Sequence, residues 1–218
     1  MAPSHCRTAA GRRRHRGRRE RIGQIIALIL VATWSFSQPP VALALQKRPP
    51  SQADQRELDA EGLKEFQEEV AEYVELRRRL DKKLAPLPPK APPERVHAYQ
   101  AGLEKLLAAK RARSEEGDLF VSEVRPLLLR VCREVLAGPG GRALRAEIYD
   151  EAPNRTFRIR INTQYPSELP LSTVPYRLLS VLPPLPTELE YRIVGRDLVL
   201  LDIDAQMVVD VLRNAVPR

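Results

Sequence analysis

The sequence predicts an α+β fold in which a long N-terminal helix and a helical pair precede a small antiparallel sheet with short helices. Residues 54–84 are rich in good helix formers, and the last third of the chain contains short alternating runs separated by turn residues. Strands that follow a block of helices, instead of alternating with them, are typical of this fold class.

An N-terminal segment, residues 1–44, carries most of the excess positive charge. It contains eight arginines and one acidic residue, Glu20, whereas the whole chain has a formal net charge of +8. The remainder has 28 basic and 27 acidic residues and is close to neutral. Because nucleic-acid binding depends on basic surfaces that release counterions from phosphates, this distribution argues against a nucleic-acid partner.

The order of features in residues 1–44 is that of a secretory signal peptide. A basic stretch precedes the apolar run at 22–36, and a polar, proline-containing stretch ends in Ala42 and Ala44, the small residues expected before a cleavage site. We therefore predict an exported protein of the periplasm or the extracellular space. The run has 15 residues, whereas a spanning helix needs about 20. Anchoring in the inner membrane by residues 22–36 is the alternative, and membrane contact is expected only then.

Cleavage after Ala44 would remove Cys6 and leave Cys132 as the single cysteine, which excludes an internal disulfide. The apolar neighbours of Cys132 predict a buried side chain. A reactive thiol is the alternative.

The predicted first helix lies within residues 45–93 and carries an apolar seam. Its apolar side chains recur in steps of three and four, as in a coiled coil, and Arg77 interrupts them. The pattern predicts contact with an envelope protein or a second copy, or packing on the protein's own second helix. The seam consists of Leu63, Phe66, Val70, Tyr73, Leu80 and Leu84.

Residues 85–93 contain five prolines and predict an extended spacer, because proline cannot continue a helix. The helical pair is predicted within residues 94–140. Its second helix should begin at Asp118 as N-cap, with Pro126 either kinking it or marking its true first turn. The Gly-Pro-Gly-Gly run at 138–141 should end it.

Residues 141–218 predict a small α+β unit. Residues 146–150 and 156–162 are expected to form one hairpin, because the second run alternates apolar and polar residues. Two helices are expected at 173–182 and 205–213, although the valines of the last segment leave a strand open.

A second hairpin is predicted around the turn Gly195-Arg196-Asp197, between residues 189–194 and 198–203. The same region contains Pro183-Pro184-Leu185-Pro186, Glu188-Leu189-Glu190-Tyr191-Arg192, Val194-Gly195-Arg196-Asp197-Leu198 and Asp202. This stretch, from Pro183 to Pro217, resembles the carboxy-terminal ending of uncharacterised exported bacterial proteins. The resemblance implies the fold and an exported location, and it brings no activity.

Few residues could carry chemistry. After cleavage His97 is the only histidine, and the chain has no Gly-x-Ser-x-Gly signature, so multi-histidine metal sites and serine or cysteine hydrolases are disfavoured. Asp197, Asp202 and Asp204, with Asp210 of the expected last helix as a fourth, could converge on a hard cation or flank a glycosidic bond. Alternatively they are solvated acids at a strand end, with Asp204 capping the last helix. No cofactor is predicted.

A basic stripe is the remaining candidate for a binding site. It could hold a phosphate or a carboxylate, or it could pair with acidic neighbours such as Glu147 and Glu190. The stripe consists of Arg158, Arg160, Arg192 and Arg196.

The sequence therefore favours a non-catalytic exported protein that acts by protein contact through the seam. A small-ligand or cation-binding module that uses the three aspartates is the second hypothesis. A carboxylate-based hydrolase is the third.

Overall fold

The structure is a computed structural model, and it describes residues 50–151, 158–166, 169 and 172–218. These residues belong to one unit, Arg48–Arg218. The predicted leader, including Ala42 and Ala44, lies outside the described residues.

The protein is an α+β structure in which helices come first and strands last, as the sequence predicted. The elements are α1 (Gln52–Asp81), α2 (Pro93–Lys110), α3 (Arg125–Ala137), α4 (Gly141–Asp150), β1 (Thr163–Gln164), α5 (Tyr176–Leu179), β2 (Leu189–Val194), β3 (Asp197–Asp202) and β4 (Met207–Leu212).

Helix α1 begins at a capping box. The Ser51 hydroxyl accepts a hydrogen bond from the Asp54 N–H at 3.2 Å, and the Asp54 carboxylate accepts one from the Ser51 N–H at 2.9 Å. These contacts satisfy two donors that a helix start would otherwise leave free. Further along, the Phe66 ring stacks on Phe120 with 5.9 Å between the ring centroids, which fixes α1 to the segment before α3.

The four strands form an antiparallel sheet in the order β1-β4-β3-β2. The register between β3 and β4 shifts once, since Leu200 pairs with Asp210 and Leu201 pairs with Val208. Val209 is the extra residue of this β-bulge. The bulge places Asp210 on the face that the helices cover.

Both faces of the sheet are covered. The helices and the face of the sheet that carries Leu198 and Leu200 share one core. A smaller apolar cluster lies on the other face, where Ile159 and Tyr165 cover Val199. The long helix, the helical pair and the sheet thus bury their apolar residues together.

The hairpin predicted around Gly195 is confirmed, with a two-residue turn between β2 and β3. Gly195 has φ +62, a conformation that glycine adopts without the steric cost of a side chain. Arg196 has no positive φ, which suits a type II′ turn.

The first predicted hairpin is wrong. Residues 146–150 lie in α4, where Leu144 and Ile148 are four residues apart and Ile148 is buried, a helical spacing that the strand interpretation overlooked. Residues 158–160 form no ladder, and pairing begins only at the two-residue β1. The rest of that prediction, residues 152–157, lies outside the described residues.

Two other predicted helices are corrected. Residues 205–213 contain strand β4, not a helix, and all six residues of β4 are buried. Burial on both faces removes the alternation by which a strand is recognised. Helix α3, which is the second helix of the predicted pair, starts at Arg125 instead of Asp118. Pro126 occupies its first turn, where the missing N–H of proline costs no hydrogen bond.

Gly62 allows α1 to approach the chain before α3. A Cβ at this position would lie 2.6 Å from the Glu123 carbonyl carbon and oxygen. Although alanine favours helices, Gly62→Ala should therefore lower the free energy of unfolding by about 1–3 kcal/mol, the usual cost of overpacking. Urea denaturation measures the difference.

The matched control is Gly102→Ala in α2. A Cβ there would meet the end of the Leu84 side chain at 3.2 Å, and that side chain can move. We expect Gly102→Ala to change the stability little. Equal losses for the two variants would contradict the close approach at Gly62.

Candidate functional site

The three predicted aspartates do not form one site. Asp197 lies at the start of β3 and accepts a hydrogen bond from Arg213 at 2.8 Å. Asp202 lies at the other end of the same strand, and it shares Arg77 with Asp204. Among residues 50–151 and the later described ranges, no group of three or more His, Cys, Asp or Glu side chains could hold a metal ion.

Asp202 is a buried structural carboxylate. It is fully buried and accepts hydrogen bonds from the Tyr73 hydroxyl at 2.8 Å, Arg77 Nε at 3.1 Å and the Ala205 N–H at 2.9 Å. Burial raises the pKa of Asp202, and these donors act in the opposite direction. Both of its oxygens already accept hydrogen bonds from the protein, and one of them pairs with Arg77, so a cation would have to compete with these donors. Asp204, predicted to cap a helix, instead contacts Arg77 beside a turn.

Asp210, the fourth acid considered for a cation site, has a structural role instead. It is fully buried, and its carboxylate accepts hydrogen bonds from the N–H groups of Gly117, Leu119, Phe120 and Val211 at 2.7–2.9 Å. Burial raises its pKa, and the four backbone donors oppose that rise. Asp210 thus fastens the segment before α3 to the sheet.

The apolar seam of α1 is not available to a partner. Phe66, Val70, Tyr73 and Leu80 are 0–4% exposed within the protein's own core, and Leu63 and Leu84 pack against the same core. Arg77 is buried because it pairs with Asp202. The prediction that the seam is an interaction surface is therefore wrong. The seam packs inside the protein, in line with the alternative interpretation.

The arginines of the predicted basic stripe contact different neighbours. Arg192 forms a two-pronged contact with Glu190, at 2.8 and 2.7 Å, and Arg196 donates to the Val216 carbonyl at 3.0 Å. Arg158 and Arg160 are exposed. The pairing alternative thus holds for Arg192.

Cys132 is fully buried, and burial raises the pKa of its thiol to about 12. A thiol with that pKa is almost entirely protonated near neutral pH and is a poor nucleophile. The buried side chain predicted from its apolar neighbours is confirmed.

The feature best suited to binding is a groove along the outer edge of strand β2, which is an edge strand of the sheet. Among the described residues, the segment Ser172–Pro175 pairs with β2 only at the bridge between Ser172 and Ile193, where the Ile193 N–H donates to the Ser172 carbonyl at 3.2 Å. Beyond that bridge the two chains separate. The groove between them has a volume of about 660 Å³.

The backbone of Tyr191 lies open at this groove. Backbone groups alternate in direction along an antiparallel strand, so the Tyr191 N–H points to the same outer side as that of Ile193. The N–H groups of Ile193 and Leu189 already donate to the Ser172 and Pro186 carbonyls. Within the described part of the chain, the Tyr191 N–H has no hydrogen-bond acceptor outside the β2–β3 ladder.

The walls of the groove are held by specific contacts. Glu151 accepts hydrogen bonds from the Thr173 N–H and hydroxyl at 2.7 and 2.8 Å. Arg177 donates to the Pro139 carbonyl at 2.9 Å, and the Tyr191 hydroxyl donates to the Pro183 carbonyl at 3.1 Å. The groove is therefore preformed, which lowers the entropic cost of binding.

Exposed apolar side chains cluster beside the groove. Tyr176 is 84% exposed, Val181 51% and Leu179 46%, and Leu179 lines the groove itself. Groups of exposed apolar residues on one surface mark contact sites more often than scattered ones do. Glu190 and Arg192 also line the groove but neutralise each other.

No family model, curated protein or solved structure matches this chain. The resemblance of residues 183–217 to exported bacterial proteins therefore stays a prediction.

The role of Asp202 can be tested by Asp202→Asn. This substitution removes the buried carboxylate that pairs with Arg77 and leaves only the half-exposed Asp204 as its charged partner, so the free energy of unfolding should fall by about 3 kcal/mol or more. Asp204→Asn is the control, because it alters the same arginine's contact with a side chain that is 54% exposed. It should cost less than about 1 kcal/mol. Urea denaturation of both variants checks this, and similar losses would refute it.

Proposed function

We propose that this protein is an exported, non-catalytic binding protein that holds an extended, apolar segment of a partner protein in the groove beside β2. The observation that carries the proposal is the open Tyr191 backbone at the floor of a groove with apolar walls. A partner strand can supply the missing hydrogen bonds there, and its side chains can contact the walls.

The shape of the groove favours a single extended segment over a second copy of this chain. The edge of β2 lies behind a wall formed by Thr173, Leu179 and the residues around Pro183. Two copies cannot bring two recessed edges together, whereas one strand is narrow enough to enter. About 660 Å³ is within the usual range for a binding cleft.

The charges of the groove favour an uncharged segment. Glu190 and Arg192 are the charged residues that line it, and they pair with each other. A charged side chain entering the apolar part would lose its hydration without gaining a partner. We therefore expect apolar or small polar side chains at the alternate positions that face the groove.

The alternative hypotheses receive less support. Asp202 and Asp204 contact Arg77, and Asp197 contacts Arg213. A cation would have to compete with these guanidinium groups. A carboxylate-based hydrolase would need two acids across an open cleft, and Asp202 is fully buried.

The exported location rests on the charge pattern and apolar run of residues 1–44 and on the resemblance of the C-terminal stretch. In the part of the chain that the structure describes, no helix has both the length and the hydropathy to cross a bilayer.

Peptide binding can be tested by selecting random peptides on the purified protein and measuring their dissociation constants. Leu179→Asp places a carboxylate in the groove and should weaken the selected peptides about tenfold or more. Methylating the peptide nitrogen that donates to the Tyr191 carbonyl should weaken binding similarly. An added antiparallel strand that accepts from the Tyr191 N–H also donates to the carbonyl of the same residue.

Leu58→Asp is the matched control. Leu58 is 51% exposed on α1, close to the 46% of Leu179, and it does not line the groove. Peptide affinity should be unchanged in this variant. If no selected peptide distinguishes Leu179→Asp from Leu58→Asp, the groove is not the binding site.

The leader can be tested by mass spectrometry of the intact protein from a fractionated host. We expect a soluble exported species whose mass begins at Leu45. A full-length species in the membrane fraction would instead support anchoring by residues 22–36.

A further inference from the structure

A second cavity, separate from the groove, is lined by a buried arginine that makes no direct ion pair among the described residues. Arg111 follows the end of α2 and is only 8% exposed. Its Nε donates to Asn162 Oδ1 at 2.8 Å, and its Nη2 donates to the Val209 carbonyl at 3.0 Å. The Tyr73 ring lies against the guanidinium, with 5.2 Å from Cζ to the ring centroid.

These neighbours hold Arg111 in place but do not neutralise it. Both acceptors are uncharged, and among the described residues no carboxylate lies within 4.0 Å of the Arg111 nitrogens. Burial lowers the pKa of Arg111. The carboxylates of Asp118, Asp210 and Glu69 act on it only from beyond ion-pair distance. Because a buried cation without a direct ion pair is unfavourable, an anion that reached Arg111 would be attracted.

Arg111 opens into a cavity of about 600 Å³ between α1 and the chain that follows α2. Nη1 of Arg111 has no hydrogen-bond partner among the described residues. Every fully buried side-chain nitrogen among those residues is hydrogen-bonded. Nη1 is therefore not fully buried and must reach open space. Lys110 and Ser114 also line the cavity and can add donors for the same anion.

Acidic side chains lie in the same cavity as Arg111. Glu69, Glu72 and Glu75 line it from α1, together with Arg79, and Asp118 lines it from the segment after α2. Burial, with the nearby charges of Glu72 and Asp118, raises the pKa of Glu69, and the charge of Arg111 acts in the opposite direction. Because like charges raise one another's energy, the group of acids favours a positively charged ligand group.

We propose that this cavity binds a small zwitterion of the α-amino acid class. Its carboxylate contacts Arg111 Nη1, and its ammonium group contacts Glu69 and Asp118. Inorganic phosphate would meet the four acids, and a simple amine would meet Arg79, Lys110 and Arg111. A molecule with both charges can satisfy Arg111 and the acids together, and about 600 Å³ accommodates any common amino acid.

The test is a thermal and calorimetric titration of the full chain with each common L-amino acid at about 10 mM, a concentration at which even weak ligands raise the melting temperature. The control probes carry charge of one sign only, and they are acetate, methylamine, inorganic phosphate and Ca²⁺. We expect at least one amino acid to bind saturably, and all four control probes to bind at least about tenfold more weakly.

Variants then locate the site. Glu69→Gln keeps the shape of a half-buried side chain and should weaken the amino acid about tenfold or more, whereas Glu57→Gln, on an exposed part of the same helix, should not. Arg111→Lys should abolish binding, but it also removes contacts to Asn162 and Val209. Glu69→Gln therefore decides the outcome if Arg111→Lys does not fold.

The proposal is overturned if no amino acid binds, if acetate or phosphate binds as tightly as the best amino acid, or if Glu69→Gln and Glu57→Gln behave alike. Because Leu179→Asp changes only the groove, its peptide-binding result and this one are independent.

Discussion

The helices are held on the sheet by two carboxylates that the sheet buries beneath them. Asp202 on β3 binds Tyr73 and Arg77 of α1, and Asp210 on β4 binds the backbone that precedes α3. An ionised carboxylate removed from water must be fully hydrogen-bonded, so each one dictates where its donors lie. The position of α1, the turn at residues 117–120 and the cavity beside Arg111 all depend on these two side chains.

The sequence predicted those elements whose signals are local. The composition of α1 and the glycine turn between β2 and β3 each lie within one stretch of chain, and both were located to within a few residues. Strand β4 was assigned to a helix because all six of its residues are buried, which removes the period of two. Asp202 looked like a solvated acid because its partner Arg77 lies 125 residues earlier.

The same long-range pairing explains why the seam of α1 misled us about function. Arg77 seemed to be a charged interruption of an apolar surface, and it is in fact the residue by which that surface is attached to the sheet. The groove beside β2 could not be predicted, because it depends on where the chain after Ser172 separates from Ile193. Only the run of prolines at residues 183–186, which forms one wall, was visible in the sequence.

The bulge at Val209 also affects which register of β4 against β3 is favourable. A strand whose residues are nearly all apolar could pair with β3 in either of two registers that differ by one residue, since both would bury hydrophobic side chains. In the wrong register the single acid of β4, Asp210, would face the small apolar cluster around Ile159 and Val199, away from its three backbone donors in residues 117–120. One aspartate next to one extra residue therefore favours a single register of β4 against β3, because the other register would bury the carboxylate without those hydrogen bonds.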